Sequence, residues 1–106
     1  IEAAQMDRAV AFYRDVLGFE EVSVSPYWSE LSHGGAILGI HGGGDELPKP
    51  TGLSIQYEDV SFAYDSAISA GATGLMNPEQ REGEPIMLAS IRDPEGNEIM
   101  LTQFAG

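Results

Sequence analysis

Few residues of this chain can move a proton or hold a ligand near neutral pH, and they stand in short alternating runs. His41 ends the run Ala36-Ile37-Leu38-Gly39-Ile40-His41, and its imidazole is the natural general base. His33, the other histidine, falls in the turn His33-Gly34-Gly35 and reads as a surface residue. Glu98 is the second candidate base. With Glu30 it would give His41 the oxygen partners of a nitrogen-and-oxygen metal site, although so acidic a chain assembles such trios by chance. Trp28 is the single tryptophan, and its ring can stack on a planar or cationic ligand. The chain has no cysteine, which removes disulfides, thiolate ligands and a thiol nucleophile together. Ser54 lies in no nucleophile motif and has no evident base. Gly42-Gly43-Gly44 is followed by neither Lys-Ser nor Lys-Thr and opens no helix, so it is not a phosphate loop.

Composition narrows the partners. The formal charge is −12, from 17 Asp and Glu against five Lys and Arg. Such a surface repels phosphate backbones, so nucleic acid is not an expected partner. A cationic small molecule would be attracted, and the plainer use of the charge is solubility. At 106 residues and 42% hydrophobic the expected unit is a single domain, 1–106, with a small core that association with a second copy would help. No apolar run is long enough to span a bilayer, so no membrane partner is expected. No secretory signal is visible, and the expected location is cytoplasmic.

The elements that must carry these residues form a repeat. Ile1 to Gln5 reads as the tail of a strand. A helix is predicted over Asp7–Leu17, with Asp7 as N-cap and Gly18 just past its end. Ala9, Phe12, Tyr13 and Val16 share its apolar face. Strands follow at Phe19–Ser25, Tyr27–Ser32 and Ala36–His41. The Gly- and Pro-rich stretch 42–51 reads as a linker. The order then recurs: a strand Gly52–Tyr57, a helix from Ser61 as cap to Ala70, a short strand Thr73–Met76, a polar loop Asn77–Glu84 and a strand Met87–Arg92. Asp93-Pro94-Glu95-Gly96-Asn97 has the residues of a tight turn, and Glu98–Gln103 is the last strand. Module one is 1–41 and module two is 52–106. Each is strand, helix, three strands, and neither half covers its own sheet, so two must pair.

Three stretches carry a resemblance: Asp7-Arg8-Ala9-Val10-Ala11-Phe12-Tyr13-Arg14-Asp15-Val16-Leu17-Gly18-Phe19, then Glu58-Asp59-Val60 with Ala63 and Ala70-Gly71-Ala72, then the Asp93–Asn97 turn with its strand. In this order they resemble the vicinal oxygen chelate superfamily of glyoxalase, bleomycin-resistance and extradiol dioxygenase domains. The resemblance implies an α+β fold: two βαβββ modules forming an open, curved, mixed β-sheet barrel with helices outside and a central cleft. It also implies a homodimer. The family's metal enzymes take His, Gln or Glu ligands from the first and last strands of each module, for Zn, Ni, Mn or Fe. Carried over position by position, the readable ligand places are Gly39, Gly52 and Met100, none of which has a usual donor. No metal or other cofactor is therefore expected, and a divalent metal is the alternative.

Strand parity then fills the implied cleft, since residues two apart share a face. Gly52 leads to Ser54 and Gln56, Gly39 to Ile37 and His41, and Met100 to Glu98 and Thr102. Trp28 and Glu30 join them from the middle strand. The expected ligand-binding set is Trp28, Glu30, Ile37, His41, Ser54, Gln56, Glu98, Met100 and Thr102, with His41 and Glu98 as catalytic candidates. The resulting expectation is a binding protein for a small aromatic or cationic compound. The alternatives are a metal-dependent lyase, isomerase or dioxygenase of the same superfamily, and a metal-free enzyme using His41 or Glu98 as base.

Overall fold

The structure, a computed structural model, describes residues 1–104; the last two positions of the second module, 105 and 106, lie outside the described residues. The strands are β1 (Glu2–Ala3), β2 (Glu20–Ser23), β3 (Trp28–His33), β4 (Ala36–Gly42), β5 (Lys49–Gln56), β6 (Thr73–Gln80), β7 (Ile86–Arg92) and β8 (Asn97–Phe104). Helix α1 spans Met6–Ala11 and continues as a π-helical turn over Phe12–Val16, and α2 spans Val60–Ser69. Both modules are βαβββ. They build two four-stranded mixed sheets in the orders β1-β4-β3-β2 and β5-β8-β7-β6, which do not close into a barrel. In each, the first strand runs parallel to the last and the remaining pairs are antiparallel.

Burial alternates along the strands because one face of each sheet meets the core. Leu31, Leu38, Ile40, Ile55, Ala89, Ile91, Ile99 and Leu101 are buried, together with Tyr13 from the first helical segment, Leu17 and Phe19 from the connection to β2, and Val60, Ala63 and Ala67 from α2. The small face of α2 lets it lie close on β6, β7 and β8. The opposite face of each sheet carries exposed apolar side chains, among them Trp28, Ile37 and Met100.

Four expectations are corrected. The cap of α2 is Asp59, not Ser61: its carboxylate accepts the Phe62 N–H at 3.0 Å. Helix α1 has Gln5, not Asp7, at its N-cap, and no side chain of its own caps it. Strand β5 starts at Lys49, inside the expected linker, because the Lys49 ammonium donates to the carbonyls of Asp45, Leu47 and Glu95 and holds the chain against the next strand. The first half of the expected polar loop after Met76, Asn77 to Gln80, is strand. Its β6 residues pair with β7 alone, and an edge position tolerates Pro78 at a register shift.

The Asp93–Asn97 turn joins the modules. Asp93 Oδ1 accepts the N–H groups of Glu95 and Asn97, each at 2.9 Å, while Oδ2 accepts the Tyr13 hydroxyl at 2.6 Å and Asn97 Nδ2 at 2.9 Å. Gly96 has φ +92°, and an added Cβ would meet the Leu47 carbonyl oxygen. Asn97 Nδ2 also donates to the Glu2 carbonyl, and Glu95 accepts the N–H groups of Ala4 and Gln5 while pairing with Arg8. One turn of the second module thereby fixes β1 and the start of α1.

Candidate functional site

The first sheet presents Trp28, Glu30, Ile37, Gly39 and His41 on its open face. Trp28 pairs across the strands with His41, and Glu30 with Gly39. Trp28 is 48% exposed and Ile37 58%. The indole Nε1 donates to Glu30 at 3.0 Å, and the ring lies over Gly39. Ser25 holds the Trp28 backbone at both ends, since its hydroxyl accepts the Trp28 N–H at 3.2 Å and donates to the Trp28 carbonyl at 2.7 Å. The platform is thus fixed by backbone, ring edge and ring face.

The second sheet presents Ser54, Gln56, Glu98, Met100 and Thr102. Met100 lies between Ser54 of β5 and Ser90 of β7, and Thr102 between Gln56 and Leu88. Glu98 accepts from Arg92 Nη2 at 2.9 Å, so its carboxylate is already engaged by a cation. Thr102 turns its hydroxyl toward the Ile55 carbonyl. The two catalytic candidates stand on different sheets, His41 on the first and Glu98 on the second.

Three of the expected residues do share one hollow. Ile37, Ser54 and Gln56 line a depression of about 290 Å³ at the seam between the modules, with Phe19, His33 and Leu53. His33 was expected on the surface and is instead half-buried, packed at tilted angles between Phe19 at 4.8 Å and Tyr57 at 5.8 Å between ring centroids. The reason is the turn: only Gly34 and Gly35 form it, at φ +56° and +84°, so His33 is the last residue of β3. Burial pushes the Tyr57 phenol upward, and its hydroxyl donates to the Leu17 carbonyl at 2.7 Å. Arg92 was also missed; the turn fixes a hairpin in which it opposes Glu98, and that pairing is the signal that could have found it. A larger groove of about 540 Å³ beside α1, lined by Arg8, Phe12, Asp15 and Gly71, contains none of the expected residues.

The places carried over from the family's metal enzymes can be tested on their chemistry. Gly39 and Gly52 have no side chain, and Met100 offers a thioether flanked by two hydroxyls, a poor set for a hard divalent ion. Among the described residues no three His, Asp or Glu side chains gather as a metal group.

Comparison with known proteins agrees with the fold. The family model of the glyoxalase/bleomycin resistance protein/dioxygenase superfamily matches residues 3–101, and the chain belongs to that superfamily. Among solved structures it resembles a family enzyme from Burkholderia phytofirmans PsJN at TM-score 0.80 and 22% identity, covering 98% of this chain and 94% of that one. TioX from Micromonospora sp. ML1 is similar at TM-score 0.78 and 21% identity, with 98% and 95% covered. An integron cassette protein from V. cholerae is similar at TM-score 0.72 and 25% identity, with 98% and 90% covered. No curated protein sequence matches the chain. Among the described residues no helix is long and apolar enough to cross a membrane.

Proposed function

We propose that this chain is a small-molecule-binding member of its superfamily that works without a divalent metal. It takes a small aromatic or cationic compound on the open sheet faces and acts as a cytoplasmic homodimer. The observation that carries the reading is Trp28, half-exposed yet held in place by Glu30, Gly39 and Ser25. A fixed aromatic face with a carboxylate at its edge attracts a flat cation by stacking and by charge, and little ordering is left to do on binding. The formal charge of −12 raises the local concentration of such a ligand. Ile37 with Phe19 and Leu53 supplies apolar walls, and Ser54 and Gln56 the sparse polar groups, of a small-molecule hollow at the seam. The exposed apolar faces also give a second copy something to cover.

Native mass spectrometry with elemental analysis, on protein purified without chelator, tests the reading. The expected result is a dimer free of transition metal that gains no ion from Zn, Ni, Mn or Fe. A dimer carrying about one divalent ion per chain would overturn it and turn attention to His41, Glu30 and Glu98. A thermal-shift screen of planar cations follows, with expected hits that quench the Trp28 fluorescence.

A further inference from the structure

We infer that Trp28 has taken the space that the family's metal enzymes give to a ligand side chain in module one, and that its packing keeps position 39 as glycine. The inference rests on the metal-free reading above and extends it from a missing donor to a site rebuilt around an indole. A Cβ placed on Gly39 would lie 2.5 Å from Trp28 Cη2 and 2.7 Å from Cζ2, far inside any real contact. No other residue fits there while the ring keeps its seat. The seat is specified from several sides. Nε1 donates to Glu30, Glu30 is the direct cross-strand partner of Gly39, and Ser25 pins the Trp28 backbone. The ring cannot swing away without losing the Glu30 bond.

The obstacle at Gly52 is of a different kind. Space is open around it, but its φ is +72°, within the shifted register between Pro50 and Ser54 of β5. An ordinary side chain there is strained, because L residues rarely adopt that φ. A donor is therefore blocked by contact at one place and disfavoured by backbone at the other. Met100 faces only hydroxyls across both neighbouring strands, which leaves no strong ligand beside it. At position 39 a donor side chain and the seated indole exclude each other, so Gly39 determines what the open face of the first sheet can bind.

The single tryptophan makes this measurable without any organic ligand. Gly39→Ala is expected to unseat the ring, shifting its emission to longer wavelength and lowering its anisotropy, while Gly52→Ala leaves the emission unchanged. If Gly39→Ala fails to fold, adding Trp28→Leu must restore folding by removing the clash. Unchanged emission in Gly39→Ala, or no rescue by Trp28→Leu, would overturn the inference. Those results would leave the binding reading standing, whereas tight metal in the unaltered protein would sink that reading first.

Discussion

At the scale of single residues, Asp93 has the most to lose. Its two oxygens accept from two backbone N–H groups, the Tyr13 hydroxyl and the Asn97 amide, all buried or nearly so. Asp93→Ala leaves four donors without that acceptor and is expected to cost about 3 kcal/mol or more in urea unfolding. Asp93→Asn keeps one oxygen and should recover part of it. The same contact shapes the alkaline response. Burial, reinforced by the Asp93 carboxylate, holds the Tyr13 phenol well above its ordinary value of 10.0, and burial alone raises Tyr57. Both stay protonated in the folded chain at a pH where the unfolded chain has lost the protons. Their contribution is therefore complete below about pH 10 and declines as pH rises past it, by about 1.4 kcal/mol per pH unit for each phenol. Tyr57→Phe should flatten that decline by about one proton's worth. An identical alkaline slope in the two proteins would show that Tyr57 ionises as freely folded as unfolded.

At the scale of elements, α2 is held at its start by two separate acceptors. Asp59 serves the Phe62 N–H, and Gln103, reaching over from β8, serves the Val60 N–H at 2.8 Å. Asp59→Ala and Gln103→Ala should each cost about 1 kcal/mol, and the pair should sum, because different donors are orphaned. A double-mutant cycle in denaturant checks this, and a strong coupling would mean that the two caps share one job. Gln103 also shows what was legible in the sequence. The inward and outward sides of β3, β4, β5 and β8 were legible because parity is a local property of a strand. So were the glycines just past the helices, Gly18 at φ +85° and Gly71 at φ +106°. What could not be read depends on a partner far along the chain: β6 beyond Met76 needs β7, the start of β5 needs the carbonyls around Lys49, and α1 meets Glu95 ahead of its first turn. The open faces divide in the same way. Which residues face outward was visible, but the indole over Gly39 and the Arg92–Glu98 pair follow from register.

At the scale of the whole molecule, charge and apolar surface pull in opposite directions. The body measures 43 × 28 × 22 Å, and its exposed large apolar side chains include Trp28, Ile37 and Phe104. Covering such surface with a second copy is favourable, but it brings together two chains each of formal charge −12. That repulsion acts over about 30 Å at 0.01 M salt and only about 8 Å at 0.15 M. The proposed dimer should therefore tighten as salt is added, the reverse of an interface built on opposite charges. Sedimentation equilibrium at low and physiological salt measures it directly. Ile37→Asp adds a charge to the open face of the first sheet and should weaken association at both salts, most at the lower. A dimer that loosens with salt, or ignores Ile37→Asp, would mean that the copies meet elsewhere and that the Trp28 face stays open to ligand in each chain separately.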